Sequence, residues 1–193
     1  VLFDLEKTPS EWIINRWPDF SFSRDTINDV KQAKMFNLPA GSTVSGKGEL
    51  FLQTLSNQIL PFIENKYSFN GKRGISGHSM GAQFVAYVMF KKPNMFERFG
   101  INSSFQGLWL SNEIRHIEKS FAETNKDYQA KVYFSFGSFE PKEMIEDIRY
   151  FDGQLTSHYK NIETKFVEFA DETHASVIPL MLNKCMWYLY KKN

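Results

Sequence analysis

The pentapeptide Gly77-His78-Ser79-Met80-Gly81 carries the strongest chemical signal in the chain. It is a G-x-S-x-G pattern between Arg73–Ser76, a short strand candidate, and Gly81–Lys92, an apolar helical run stopped by Pro93. A sharp turn at this place lifts a serine hydroxyl above a sheet. Glycine at both flanking positions is expected to keep the adjoining strand and helix clear. The helix that follows turns its positive end toward the site. The backbone N–H of Met80 is then a natural donor to a developing oxyanion. The chemistry implied is attack by the Ser79 hydroxyl on a carbonyl carbon, for which a serine needs a base. The competing account is a glycine-rich turn with an incidental serine.

On a sheet of this kind the base follows the last strand and the acid an earlier one, in the order Ser, Asp/Glu, His. Of the four histidines, His78 sits inside the elbow and is expected to point away from Ser79. His116 and His158 fall within predicted helices. His174, in Asp171-Glu172-Thr173-His174 after the strand Ile162–Phe169, satisfies the order. The acid candidate is Glu140 in Gly137-Ser138-Phe139-Glu140-Pro141, at the carboxyl end of the strand Lys131–Phe136. From there a carboxylate can hold the imidazole in its useful tautomer. Asp171 is too local to the histidine and Asp152 lies inside a helix; a Ser–His dyad without a carboxylate stays open.

These groups need a frame. Glu49–Tyr67 has Leu50, Leu52, Leu55, Ile59, Leu60 and Ile63 at near-helical spacing. Phe99–Asn102 reads as a further strand. Ser111–Asp127, Pro141–Lys160 and Ala175–Tyr190 read as helices. Strands that alternate with helices of this length imply a parallel sheet covered on both faces, with chemistry at the carboxyl ends of the strands. The first 50 residues read as loop-rich, with a short apolar strand ahead of Arg16. Phe84, Tyr87 and Phe90 are expected in the core. Phe105 and Trp109 could line a substrate pocket, and Arg16 could meet an anionic or phenolic substrate.

Composition narrows the classes. The chain has 193 residues, enough for one domain. Lys plus Arg total 23 against 22 for Asp plus Glu, so no net charge draws it to nucleic acid. The single cysteine excludes an internal disulfide framework and any multi-cysteine metal site. No apolar run approaches a membrane span of about 18 residues. The 19 phenylalanines can build a dense core and leave aromatic surface for a pocket. Gly41–Gly48 nearly spells a phosphate-binding G-x-x-x-x-G-K-[ST] loop, but Gly48 lacks the hydroxyl that binds magnesium. It reads instead as a flexible loop near the site mouth. No metal-binding motif is present, and no cofactor is expected.

Together these segments resemble the α/β-hydrolase esterases that include enterochelin (siderophore) esterases and S-formylglutathione hydrolase. The resemblance rests on Arg16–Asp25, Phe51–Pro61 with Ile63 and Tyr67, Gly77–Gly81, Phe136–Glu140 and Thr173–Pro179. The last is similar to the histidine segment of the siderophore-esterase branch. The resemblance implies Ser79 as nucleophile, His174 as base, Glu140 as acid, and a small-molecule ester as partner. The family places several strands and a helix before the segment at Trp12–Arg16, and that part supplies the second oxyanion donor. The expectation is a single α/β-hydrolase domain over 1–193 that lacks its N-terminal strands, with an exposed sheet edge. An acyltransferase on the same scaffold and a non-catalytic binding module are the alternatives. Oligomeric state and compartment, cytoplasmic or exported, stay open.

Overall fold

The computed structural model of the chain describes residues 8–104 and 112–191. The chain divides into two compact units, Val1–Ser68 and Phe69–Asn193.

The first unit is helical. Helix α1 (Pro9–Phe20) starts at a capping box, in which Thr8 and Glu11 each accept from the other's backbone N–H. Helix α2 (Thr26–Met35) is capped by Asp25, which accepts from the Asn28 N–H. Helix α3 (Gly48–Thr54) runs through a π turn (Leu55–Ile59) into α4 (Leu60–Lys66). Pro61 accounts for the wider turn, because it has no N–H for the Asn57 carbonyl and its ring crowds that group.

Two expectations fail in this unit. The apolar run before Arg16 is helix, not strand: its buried Ile13 and the buried Trp17 just after Arg16 are four apart, the period of a helix face. Nor is 41–48 a loose loop. Buried Asp29 accepts from the Trp17 indole (2.6 Å) and the Ser45 N–H (2.8 Å), and its own carbonyl accepts from Thr43 (2.6 Å). Arg24 pairs with the same carboxylate. One acidic side chain thus ties α1, α2 and the loop before α3 together.

The second unit is a four-stranded parallel sheet in the order β1-β2-β3-β4. Its strands are β1 (Gly74–His78), β2 (Arg98–Asn102), β3 (Gln129–Gly137) and β4 (Asn161–Phe169). The crossovers carry α5 (Met80–Lys91), α6 (Asn112–Thr124) and α7 (Lys142–His158), and α8 (Ile178–Tyr190) closes the chain. Among the described residues, no strand pairs with the outer edge of β1.

Alternation along the strands assigns the faces. Tyr133 packs against Tyr188, Cys185 and Leu189 of α8, and Ser76 on the same face lies 3.7 Å from the Cys185 sulfur. Phe134, on the opposite face, meets Phe151 of α7 edge to face. Phe90 of α5 joins that layer against Phe151 and Tyr159. Phe84, Tyr87 and Phe90 are buried as the sequence implies. The sheet is covered on both faces, with phenylalanines filling the α5/α7 side.

Candidate active site

Strand β1 ends and α5 begins within two residues, and Ser79 takes the turn at φ 59° and ψ −124°. This is a costly backbone for a residue with a side chain, on the order of 1–3 kcal/mol. Several contacts hold it. The Ser79 N–H donates to the Asn102 carbonyl (3.1 Å), and the Ser79 carbonyl caps α5 by accepting from the Ala82 N–H (3.0 Å). Gly77 is required: a Cβ there would stand 2.1 Å from the Gly81 carbonyl oxygen. Gly81 is not, since a Cβ there meets nothing within 4 Å. The expected clash therefore applies to one flank only. Met80 is the first residue of α5, so its N–H is among the four donors a helix start leaves without an internal acceptor.

The imidazole of His174 reaches Ser79 from the loop after β4, with Nε2 3.0 Å from Oγ. Its other nitrogen, Nδ1, faces Glu140 Oε2 at 3.5 Å. Both atoms are buried and otherwise unpartnered, so a contraction of a few tenths of an ångström closes the bond. The second carboxylate oxygen is already engaged. Glu140 Oε1 accepts from the Ser103 hydroxyl (2.5 Å) and the Gly137 N–H (3.1 Å). Burial pushes the Glu140 pKa up. The hydrogen bonds from His174, Ser103 and Gly137, with the His174 charge, outweigh it and hold the carboxyl below its ordinary 4.5.

The acid and histidine loops are stitched together by backbone. Ser138 N–H donates to the Phe169 carbonyl (2.9 Å), Phe139 N–H to the Glu172 carbonyl (3.0 Å), and Asp171 N–H to the Ser138 hydroxyl (2.8 Å). A Cβ on Gly137 would stand 2.3 Å from the Glu172 oxygen, so glycine permits this approach.

Sequence reasoning missed the floor beneath these loops. Asn102 donates to Ser76 Oγ and to the Gly77 carbonyl, both at 3.1 Å, and accepts from Ser135 (2.8 Å). With Ser103 N–H donating to the Ser135 carbonyl (2.7 Å), this network around buried Asn102, Ser103 and Ser135 crosslinks the carboxyl ends of β1, β2 and β3. The run Asn102-Ser103-Ser104 at the end of an apolar strand was the available signal. Sequence reasoning also gave no part to His78. Its Nε2 lies 2.8 Å from the His174 carbonyl oxygen, and the two rings stand 4.5 Å apart. Burial first, then the neighbouring His174, lowers the His78 pKa from 6.5 to about 4, so the ring is neutral near pH 7.

Arg16, within α1 rather than after a strand, pairs with Asp19 at 2.8 Å. Phe105 and Trp109 lie outside the described residues. His158 pairs with buried Glu118 at 2.8 Å, which also accepts from the Tyr159 hydroxyl (3.0 Å). That cluster joins α6 to α7, away from Ser79. A cavity of about 550 Å³ lined by Arg73, Phe96, Arg98, Lys131 and Glu163 opens at the amino ends of the strands. It is a strand length away from the elbow. Arg98 there is paired with Glu97, and Lys131 with Glu163. Among the described residues, no three His, Cys, Asp or Glu side chains group to hold a metal ion, and no helix is long and apolar enough to cross a membrane.

The chain is similar to known proteins. It is 27% identical over 172 residues to the ferri-bacillibactin esterase BesA of Bacillus subtilis (strain 168), covering 84% of this chain and 59% of that protein. The BES protein from Bacillus cereus superposes with a TM-score of 0.74 at 22% identity, covering 92% of this chain and 64% of the other. The siderophore hydrolase EstB from Aspergillus nidulans gives 0.70 at 17% identity, covering 96% and 68%. The fold is that of the α/β-hydrolases, and the chain spans less than two thirds of the first two relatives. The family model Esterase, described as "Putative esterase", matches residues 17–175. With most of its length inside that match, the chain belongs to the Esterase family.

Proposed function

We propose that the chain hydrolyses carboxylic esters through an acyl-enzyme on Ser79, with siderophore-type esters as the substrate class. The observation that carries this reading is the 3.0 Å approach of His174 Nε2 to the Ser79 hydroxyl at a strained elbow. Ser79 Oγ attacks the ester carbonyl and its proton passes to His174 Nε2. The buried Glu140 carboxylate stabilises the imidazolium. The Met80 N–H, at the positive end of α5, receives the oxyanion. Collapse of the tetrahedral intermediate breaks the bond to the alcohol, which leaves with the proton from His174. Water then attacks the acyl-enzyme, gives its proton to His174, and Ser79 regains it as the acid departs.

The substrate class is supported by the relatives' names: a ferri-bacillibactin esterase in one case, a siderophore hydrolase in another. A fluorophosphonate probe tests the chemistry. The expected result is covalent labelling at Ser79 that disappears in Ser79→Ala. A folded chain that takes up no probe overturns the proposal. A hydrolysis screen over acetyl, feruloyl, acetyl-sugar and catecholate-lactone esters tests the substrate class, and the catecholate lactone is expected to turn over fastest.

A further inference from the structure

The His174 side chain is 41% exposed. Besides Ser79 and Glu140 at its two nitrogens, its ring has that of His78 beside it. The last residue of β1 is fixed by its strand, whose register with β2 pairs it with Asn102. From there the ring stands 4.5 Å from the His174 ring, tilted by 41°. Its Nε2 meets the backbone carbonyl of the same residue at 2.8 Å. A carbonyl only accepts, so His78 must carry its proton on Nε2. Thr173 and Ser176 bond to each other, and Glu172 is tied to Phe139 and to Ser176.

We propose that His78 is a positioning residue for the base: its Nε2–H pins the His174 carbonyl and its ring face backs the imidazole, holding Nε2 of His174 on Ser79. The inference rests on the acyl-enzyme reading above, for which His174 is the base. Two contacts from one side chain to one residue fix both the backbone and the ring plane of that base. The burial that keeps His78 uncharged also keeps a second positive charge from forming beside the imidazolium. A misplacement of about 1 Å at such a group costs on the order of 100-fold in rate.

The experiment compares wild type, His78→Phe and His78→Gln on p-nitrophenyl acetate. Phenylalanine keeps a ring face and loses the N–H; glutamine places an amide N–H where Nε2 stands. Expected for His78→Phe is a kcat lower by about 10- to 100-fold with KM within about threefold. His78→Gln is expected to recover most of that loss. Equal losses in the two variants, or a folded His78→Phe with wild-type kcat, overturn the proposal. A measurement on the wild-type chain stands independently of folding in the variants: long-range ¹H–¹⁵N correlation at pH 7 should find His78 as the Nε2–H tautomer. The Nδ1–H tautomer or a charged ring overturns it. Absence of fluorophosphonate labelling in wild type is instead the failure of the esterase reading, and these outcomes are read apart from it.

Discussion

Glu140 gives its two oxygens different work. Oε1 takes two donors, Ser103 and the Gly137 N–H, and Oε2 is left for His174 Nδ1. In Glu140→Gln the amide cannot serve both sides. If its oxygen faces Ser103 and Gly137, its NH2 confronts Nδ1 and favours the tautomer that cannot take the Ser79 proton. If it flips, the NH2 faces the Gly137 donor. The expected result is a kcat at least about 100-fold lower on p-nitrophenyl acetate. A loss under about tenfold identifies a Ser–His dyad in which Glu140 only shapes the loop. Ser103→Ala leaves the Gly137 N–H in place and removes one charge-assisted bond. Its expected loss is smaller, about tenfold or less, measured in the same assay.

The elbow is where sequence and structure can be compared most closely at the scale of an element. The pattern Gly77-x-Ser79-x-Gly81 is legible because strand, turn and helix each leave a local mark. The pattern suggests two equivalent glycines, whereas the structure separates them. Gly77→Ala drives a Cβ against the backbone oxygen of Gly81, which cannot rotate away. It is expected to abolish fluorophosphonate labelling and lower the melting temperature. Gly81→Ala meets open space and lies in the first turn of α5, where alanine is favoured over glycine by up to about 1 kcal/mol. It should retain labelling and melt no lower than wild type. The alternating elements of the second unit were legible for the same reason as the elbow: Lys131–Phe136 and Ile162–Phe169 are apolar or alternating runs bounded by turns. In the first unit the run Glu49–Tyr67 was legible as the helical stretch α3 to α4, but helices α1 and α2 were not. Their signal is carried by Thr8, Asp25 and the buried Asp29, whose partners, such as Trp17 and Ser45, are separated along the chain. The pairing of His78 with His174 was invisible for a related reason, because 96 positions separate two residues that only the parallel sheet brings together.

At the scale of the whole molecule, the buried site couples stability to pH. His78 titrates at 6.5 when unfolded and at about 4 when folded. Between those values the unfolded chain binds a proton that the folded chain refuses, so stability is full above pH 6.5 and falls as pH drops toward 4. Glu140 works in the same direction but lower. Its folded pKa lies below the ordinary 4.5, so its contribution is present above 4.5 and is lost as pH falls through the folded value. His174 and Glu140 are the titratable groups that act on His78, and Glu140 favours its charged form only weakly against burial. Two windows should therefore separate in calorimetry. Wild type is expected to lose melting temperature from pH 6.5 to 4 and to continue losing it below. Phenylalanine at position 78 removes the titrating ring, so His78→Phe should flatten the upper window and leave the lower one. Glu140→Gln should do the reverse. A His78→Phe melting curve that runs parallel to wild type across pH 6.5 to 4 would show that His78 protonates as readily in the folded chain as in the unfolded one. The neutral ring beside His174 would then have to be abandoned.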